Sequence, residues 1–136
     1  MASQDDLREL FAAAKAVRER AHAPYSEFAV GAALRAESGA VYIGCNVENA
    51  SYPEGWCAET SAIAQMIAAG DRRIREVVVV AGGARLCTPC GGCRQRLAEF
   101  AGPDTPVHAA NPQGIVKSFT LQELLPEAFV LVGEAQ

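Results

Sequence analysis

The segment 74–81 constrains the fold more than any other part of this chain. It reads Ile-Arg-Glu-Val-Val-Val-Val-Ala and is broken by Gly82-Gly83. Its β-branched apolar run is typical of a strand that is covered on both faces, and such a strand belongs in a layered fold. The wholly apolar part, 77–81, is far too short to cross a bilayer, so we expect no membrane span.

Helical patterns lie on both sides of this strand. Apolar residues near the N-terminus recur at helical spacing, at Leu7, Leu10, Phe11, Ala14 and Val17. They predict an amphipathic helix that ends before Pro24. The segments 57–69 and 90–100 predict two more helices, and the capping box formed by Thr120 and Glu123 predicts a short final one.

Four further segments predict strands. The segments 28–35 and 41–45 flank a turn at 37–40 and predict a β-hairpin, and the segments 106–110 and 115–119 flank an Asn-Pro-Gln-Gly turn. Strands that alternate with helices in this order indicate an α/β layered fold. With 136 residues the chain is long enough for one core, so we expect a single domain over 1–136.

Charge and cysteine content limit the possible functions. The formal net charge of −4 argues against a protein that grips nucleic acid through its phosphates, so we expect a small substrate. The N-terminus is polar and acidic, unlike a secretion signal, and we expect a soluble cytoplasmic protein. Five cysteines in such a chain indicate thiols or metal ligands rather than a disulfide framework.

Two short motifs carry candidate chemistry, and each starts a predicted helix. They are Cys57-Ala58-Glu59 and Pro89-Cys90-Gly-Gly-Cys93. Three thiolates can bind zinc and leave one tetrahedral position for water, as catalytic sites do. The cysteines alone fit a structural zinc site or a redox pair equally well. Glu59 favours catalysis, because a carboxylate two residues beyond a ligand could take a proton from bound water.

These motifs and two others occur in an order that identifies a family resemblance. The others are 24–33, Pro-Tyr-Ser-Glu-Phe-Ala-Val-Gly-Ala-Ala, and 46–52, Asn-Val-Glu-Asn-Ala-Ser-Tyr; Cys93-Arg-Gln95 extends the second cysteine motif. From about residue 24 to residue 129 the chain resembles the short cytidine deaminases with three cysteine ligands. The resemblance implies a three-layer α/β/α fold with a mixed five-stranded sheet, and a homotetramer with shared active sites and one Zn²⁺ per subunit.

The resemblance also implies a reaction, the deamination of cytidine and 2′-deoxycytidine to uridine and 2′-deoxyuridine in pyrimidine salvage. Water activated by the zinc would attack C4 of the pyrimidine, and Glu59 would relay a proton to N3. The implied zinc ligands are Cys57, Cys90 and Cys93. The implied substrate-binding residues are Phe28 on the pyrimidine ring, Asn46 and Glu48 on the ribose, Ala58 through its backbone N–H, and Ala50, Tyr52 and Phe129 toward an adjacent subunit's site.

Alternatives to these roles stay open at the level of sequence. Phe28 and Phe129 could be core residues, Asn46 a turn former and Glu48 a solvated acid. The chain could instead deaminate another aminopyrimidine, such as a blasticidin-type antibiotic, or be a non-catalytic binding module that zinc stabilises. The segment 46–52 argues against the former and Glu59 against the latter.

One position departs from the family pattern. Thr60 stands where the family often has an Arg that offsets the charge of the thiolates. Arg94, next to Cys93, is a candidate to supply that charge. With Thr60 in place of the Arg, the metal site would be more electron-rich.

Four residues that could ligate metal are left over. Cys87 creates a second C-x-x-C register with Cys90, but we expect Cys87 and Cys45 to be small buried thiols. We expect His22 and His108 to be surface or hydrogen-bonded core residues rather than ligands.

Overall fold

The computed structural model describes residues 3–131 and contains every predicted helix and strand. Its elements are α1 (Gln4–Arg18), β1 (Val30–Ala36), β2 (Val41–Cys45), a 3-10 turn (Tyr52–Glu54), α2 (Ala58–Ala68), β3 (Ile74–Ala81), α3 (Gly91–Phe100), β4 (Pro106–Asn111), β5 (Gly114–Thr120) and α4 (Leu121–Leu124). Both capping boxes, Ser3 with Asp6 and Thr120 with Glu123, are formed. None of the helices in this range is long and apolar enough to cross a membrane.

The five strands form one mixed sheet in the order β2-β1-β3-β4-β5. Only the β3–β4 pair is parallel, and the other neighbours are antiparallel. The strand β3 lies at the centre, as its apolar sequence predicts, and its four consecutive valines, Val77, Val78, Val79 and Val80, are at most 1% exposed.

The two faces of β3 bury different helices. Val77 and Val79 belong to a core cluster that includes Met66 of α2 and Leu97 of α3. Val78 and Val80 belong to a second cluster with Leu10 and Ala14 of α1. The alternation of side chains along the strand therefore confirms the three-layer α/β/α fold.

Two glycines allow the helices to approach the sheet closely. A Cβ at Gly31 would lie 2.1 Å from the carbonyl oxygen of Ala14 in α1, and a Cβ at Gly44 would lie 2.4 Å from the amide nitrogen of Ala62 in α2. No side chain fits at either position. Gly44 thus holds the first turns of α2 directly against β2.

His108 of β4 is buried and is hydrogen-bonded at both ring nitrogens. Nε2 lies 2.7 Å from Oε2 of Glu76, and Nδ1 lies 2.6 Å from Oγ of Ser118. The expectation that His108 is a hydrogen-bonded core residue is confirmed, and His22 lies on the surface as expected.

We predict that His108→Ala lowers the free energy of unfolding by about 3 kcal/mol. Oε1 of Glu76 already has no partner among the described residues, so losing the imidazole would leave the whole buried carboxyl group unpaired. Ser118→Ala is the matched control; it should cost about 1 kcal/mol, because Ser118 is exposed. Urea denaturation measures both, and equal losses in the two variants would contradict this account.

Candidate active site

Three cysteine sulfurs meet where two helices begin. Cys57 is the N-cap of α2, Cys90 is the N-cap of α3, and Cys93 lies in the first turn of α3. Their Sγ atoms all lie within 4.8 Å of one another, and those of Cys57 and Cys90 are 3.8 Å apart. The structure therefore brings together the three residues that the sequence predicts as metal ligands.

The spacing of the sulfurs fits zinc. Two thiolates at about 2.3 Å from a tetrahedral zinc ion lie about 3.8 Å from each other. The measured separation of Cys57 and Cys90 has this value, and three thiolates are a donor set that zinc prefers. The site could supply three ligands to Zn²⁺ and leave a fourth position for water.

The thiols also influence one another's protonation. A hydrogen bond with Cys93 lowers the pKa of the Cys57 thiol. The same hydrogen bond, together with burial, raises the pKa of Cys93. Because adjacent thiolates repel each other, all three give up their protons readily only when a cation takes the place of those protons.

Glu59 lies in the first turn of α2 and is only 5% exposed. Burial raises the pKa of its carboxyl group, because the charged form loses its hydration. The sulfur of Cys93 and the positive charge of Arg96 act in the opposite direction. A buried carboxyl group whose pKa is raised holds a proton more readily than an exposed one, which suits it to take up and release protons.

A cleft of about 250 Å³ opens beside the sulfurs and Glu59. Four residues that the sequence predicts to bind substrate line this cleft, namely Phe28, Asn46, Glu48 and Ala58. Its volume is slightly below the range of about 300 to 1,000 Å³ that is typical of small-molecule sites.

Asn46 braces the segment that carries Phe28. Its Nδ2 donates to the carbonyl oxygen of Phe28 at 2.8 Å, and its Oδ1 accepts from the amide of Val30 at 2.9 Å. Phe28 precedes β1, which begins at Val30, because its backbone N–H and C=O bond to the side chains of Ser26 and Asn46 and not to a neighbouring strand. The ring is 41% exposed, so Phe28 is not a core residue of the described chain.

Glu48 holds the preceding turn. Oε1 accepts from the amides of Tyr25 at 2.9 Å and Ser26 at 3.1 Å, and the hydroxyl of Ser26 donates to Oε2. The Ser26 hydroxyl is the main group that lowers the pKa of Glu48. Sequence reasoning did not single out Ser26, although it lies inside the motif 24–33.

Three predicted residues lie outside the cleft in the single chain. Ala50 is exposed, Tyr52 is 76% exposed and Phe129 is 72% exposed. Tyr52 lines a neighbouring depression of about 350 Å³ that shares Ser26 and Glu48 with the cleft. The backbone of Phe129 is hydrogen-bonded to the side chain of Gln95.

Arg94, the candidate to supply the compensating charge, makes no hydrogen bond to a sulfur among the described residues. It donates to the carbonyl oxygens of Pro89 and Leu124 at 2.7 and 2.8 Å and to the hydroxyl of Thr88 at 2.8 Å. These bonds tie the segment before α3 to α4. The physical reason is its position on α3, where its side chain extends toward α4.

Two other side chains contact Cys93. The hydroxyl of Thr60 lies 3.7 Å from Sγ, which fits the neutral hydrogen bond expected of it. Nη1 of Arg96 donates to the same sulfur at 3.9 Å. Sequence reasoning missed Arg96, although a residue three positions after Cys93 lies on the same helix face.

Cys45 and Cys87 were expected to be buried, but both are only half-buried. Cys87 lines the cleft but lies outside the cluster of three sulfurs, and its thiol donates to the carbonyl oxygen of Thr88 at 3.9 Å. The geometry therefore favours Cys90 with Cys93 as the C-x-x-C pair.

Comparison with known proteins gives consistent results. A family model for the cytidine and deoxycytidylate deaminase zinc-binding region matches residues 4–109. The chain is 44% identical to the cytidine deaminase of Sporosarcina psychrophila, covering 91% of each chain, and 44% identical to that of Halalkalibacterium halodurans, covering 91% of this chain and 94% of the relative.

Solved structures agree with this similarity. Cytidine deaminase from Burkholderia pseudomallei superposes with a TM-score of 0.85 at 46% identity, over 90% of this chain and 98% of that one. Cytidine deaminase from Mycobacterium tuberculosis gives a TM-score of 0.80 at 37% identity, over 93% of this chain and 98% of that one.

We predict that Cys87→Ser keeps its zinc, whereas Cys90→Ser loses most of it. Of Cys87 and Cys90, only Cys90 belongs to the cluster of three sulfurs. Both variants replace a sulfur atom with oxygen, at positions three residues apart. The metal content of the purified variants, measured by plasma mass spectrometry, checks this. Loss of zinc from Cys87→Ser would show that the other C-x-x-C register is the ligand pair.

Proposed function

This chain belongs to the cytidine and deoxycytidylate deaminase family, and we propose that it hydrolyses cytidine and 2′-deoxycytidine to uridine and 2′-deoxyuridine with release of ammonia. Residues 1–136 would act as one deaminase domain. The observation that carries this proposal is the meeting of three sulfurs and a buried carboxyl group, Glu59, at the cleft that Phe28, Asn46 and Glu48 also line.

The reaction adds the oxygen of water to C4 of the pyrimidine and breaks the bond from C4 to the exocyclic nitrogen. One proton of the water ends on N3, and the other leaves with the amino group as ammonia. When bound by Cys57, Cys90 and Cys93, zinc would lower the pKa of water at the site toward neutrality. Glu59 would move both protons, since it lies beside the sulfurs and burial raises its pKa.

The substrate would be held on the other lining residues of the cleft. The exposed ring of Phe28 offers a flat surface for the pyrimidine. The amide of Asn46 makes two hydrogen bonds to backbone, which leaves it one N–H and one lone pair for a ribose hydroxyl. Oε2 of Glu48 accepts only from Ser26 among the described residues, so it can accept a second hydroxyl. The backbone N–H of Ala58 would donate to the base.

Two other functions are not favoured. One is the deamination of a different aminopyrimidine such as a blasticidin-type antibiotic, and the other is a non-catalytic binding module. The relatives that cover most of the chain are named cytidine deaminases. A binding module would also have no use for a buried carboxyl group beside its metal site.

We further propose a homotetramer whose subunits share active sites. Large side chains are exposed beside the cleft, with Tyr25 52%, Tyr52 76% and Trp56 51% exposed. Exposed apolar surface of this kind is typical of subunit interfaces. A neighbouring subunit would cover it and could bring its own Phe129 to the cleft, while Ala50 and Tyr52 would face outward to the neighbour.

We also propose that the protein acts in the cytoplasm, in pyrimidine salvage, without a nucleic-acid partner. Its five cysteines are free thiols, and a reducing compartment keeps thiols available for zinc. The negative net charge disfavours binding to nucleic acid phosphates.

We predict that Glu59→Gln keeps one zinc per chain and lowers kcat for cytidine by about a hundredfold to ten-thousandfold, because the amide cannot move protons. An absorbance assay with a zinc measurement on the same sample checks this. The control is Glu99→Gln, which makes the same change at an exposed position of α3. Near-normal turnover in zinc-loaded Glu59→Gln would remove the basis for the proposal.

We predict that Tyr52→Glu converts the tetramer to smaller species, since the change places a charge in the proposed interface. Light scattering coupled to size exclusion measures the mass. Arg8→Glu changes charge at an exposed position of α1 and should leave the assembly intact. A wild-type protein that is monomeric and fully active would contradict shared sites.

A further inference from the structure

Cys93 is the sulfur of the site that most needs a hydrogen-bond donor. Its residue is 0% exposed, whereas Cys90 is exposed and Cys57 is half-buried. A buried anion without donors is strongly unfavourable, and water cannot reach this sulfur to supply them. Cys57 and Cys90 are N-caps beside free backbone N–H groups, but Cys93 lies within the helix.

The charge of the site makes the need greater. Three thiolates around one Zn²⁺ leave one net negative charge. Glu59, when ionised, would add another in the same buried region. A cation beside the sulfurs therefore stabilises the ligand set that holds the metal.

Arg96 is the side chain placed to do this. Nη1 donates to Sγ of Cys93 at 3.9 Å, and across residues 3–131 the guanidinium makes no other hydrogen bond and no ion pair with a carboxylate. Thr60 contacts the same sulfur at 3.7 Å and can add only a neutral donor. Arg94, in contrast, donates to three oxygens and none of its bonds reaches a sulfur.

Gly92 lies beside the guanidinium group of Arg96. A Cβ at this position would lie 3.1 Å from Nη1 of Arg96, which is closer than ordinary contact. The glycine between the two cysteines of the C-x-x-C pair therefore leaves the space in which the guanidinium reaches Cys93.

We infer that Arg96, assisted by Thr60, stabilises the buried Cys93 thiolate and so determines how tightly this site retains zinc. Arg96 acts through a ligand and touches no substrate, so it is a positioning residue. It supplies from α3 the positive charge that Thr60, at the start of α2, lacks. This inference rests on the zinc site of the proposed function, but it concerns metal retention and not turnover.

The test follows the transfer of zinc from the loaded protein to the chromogenic chelator 4-(2-pyridylazo)resorcinol at one fixed pH. We expect Arg96→Gln to release zinc about tenfold faster than the wild type, the lower end of what a charge-assisted hydrogen bond contributes.

Matched variants separate charge from structure. Arg8→Gln removes the same charge from an exposed position of α1 and should release zinc at the wild-type rate. Arg96→Lys should retain most of the wild-type behaviour. Adding Thr60→Arg to Arg96→Gln should slow zinc release again, because it places a cation on the other side of the same sulfur.

Equal release rates for Arg96→Gln and Arg8→Gln would overturn the inference. So would faster release that neither Arg96→Lys nor Thr60→Arg reduces, since the loss would then not depend on charge. If Arg96→Gln does not fold, Gly92→Ala displaces Nη1 without removing it and should speed zinc release by a smaller factor; an unchanged rate there would also count against the inference.

The proposed function is tested separately. A wild-type protein that holds one zinc per chain but leaves cytidine unchanged would contradict the proposed function, and the retention test would still stand. A wild-type protein that binds no zinc would overturn this inference.

Discussion

The site depends on one packing arrangement, which brings the first turns of α2 and α3 together. Gly44 holds α2 directly against β2, and Leu97 packs α3 against the same face of the central strand. Because Cys57 and Cys90 are the N-caps of these helices, their sulfurs meet at a distance that suits a tetrahedral zinc ion. Glu59, two residues after Cys57, is buried by the same packing. The core itself thus positions the three predicted metal ligands and the proposed proton carrier.

A second set of contacts shapes the substrate side of the cleft. Asn46 and Glu48 each bond to backbone in the segment 25–30, so they hold in place the turn that presents Phe28. The residues proposed to grip the ribose therefore also support the residue proposed to pack on the base. A change at either position would disturb both contacts, which couples recognition of the sugar to the position of the pyrimidine.

Two side chains of different charge approach the sulfur of Cys93. Thr60 offers a neutral hydroxyl to Cys93, and Arg96 approaches the same sulfur from α3 with a positive charge. Arg94 is occupied by three oxygens and ties the segment before α3 to α4. Arg94 and Arg96, two residues apart on α3, thus make different contacts: Arg94 bonds to the scaffold and Arg96 to the sulfur of Cys93.

The sequence alone determined the layered fold, the central strand and the zinc motif, because these depend on local patterns: the apolar run of β3, the cysteine spacing and the glutamate beside it. Only the tertiary structure decided which arginine reaches Cys93, because a side chain's direction depends on how its helix is turned against the sheet. It also decided that Phe28 stays exposed, since the side chains of Ser26 and Asn46 hold its backbone outside β1. The residue pattern of a segment predicts whether that segment forms a helix or a strand. Which side chains of distant segments touch is decided only when those segments pack together.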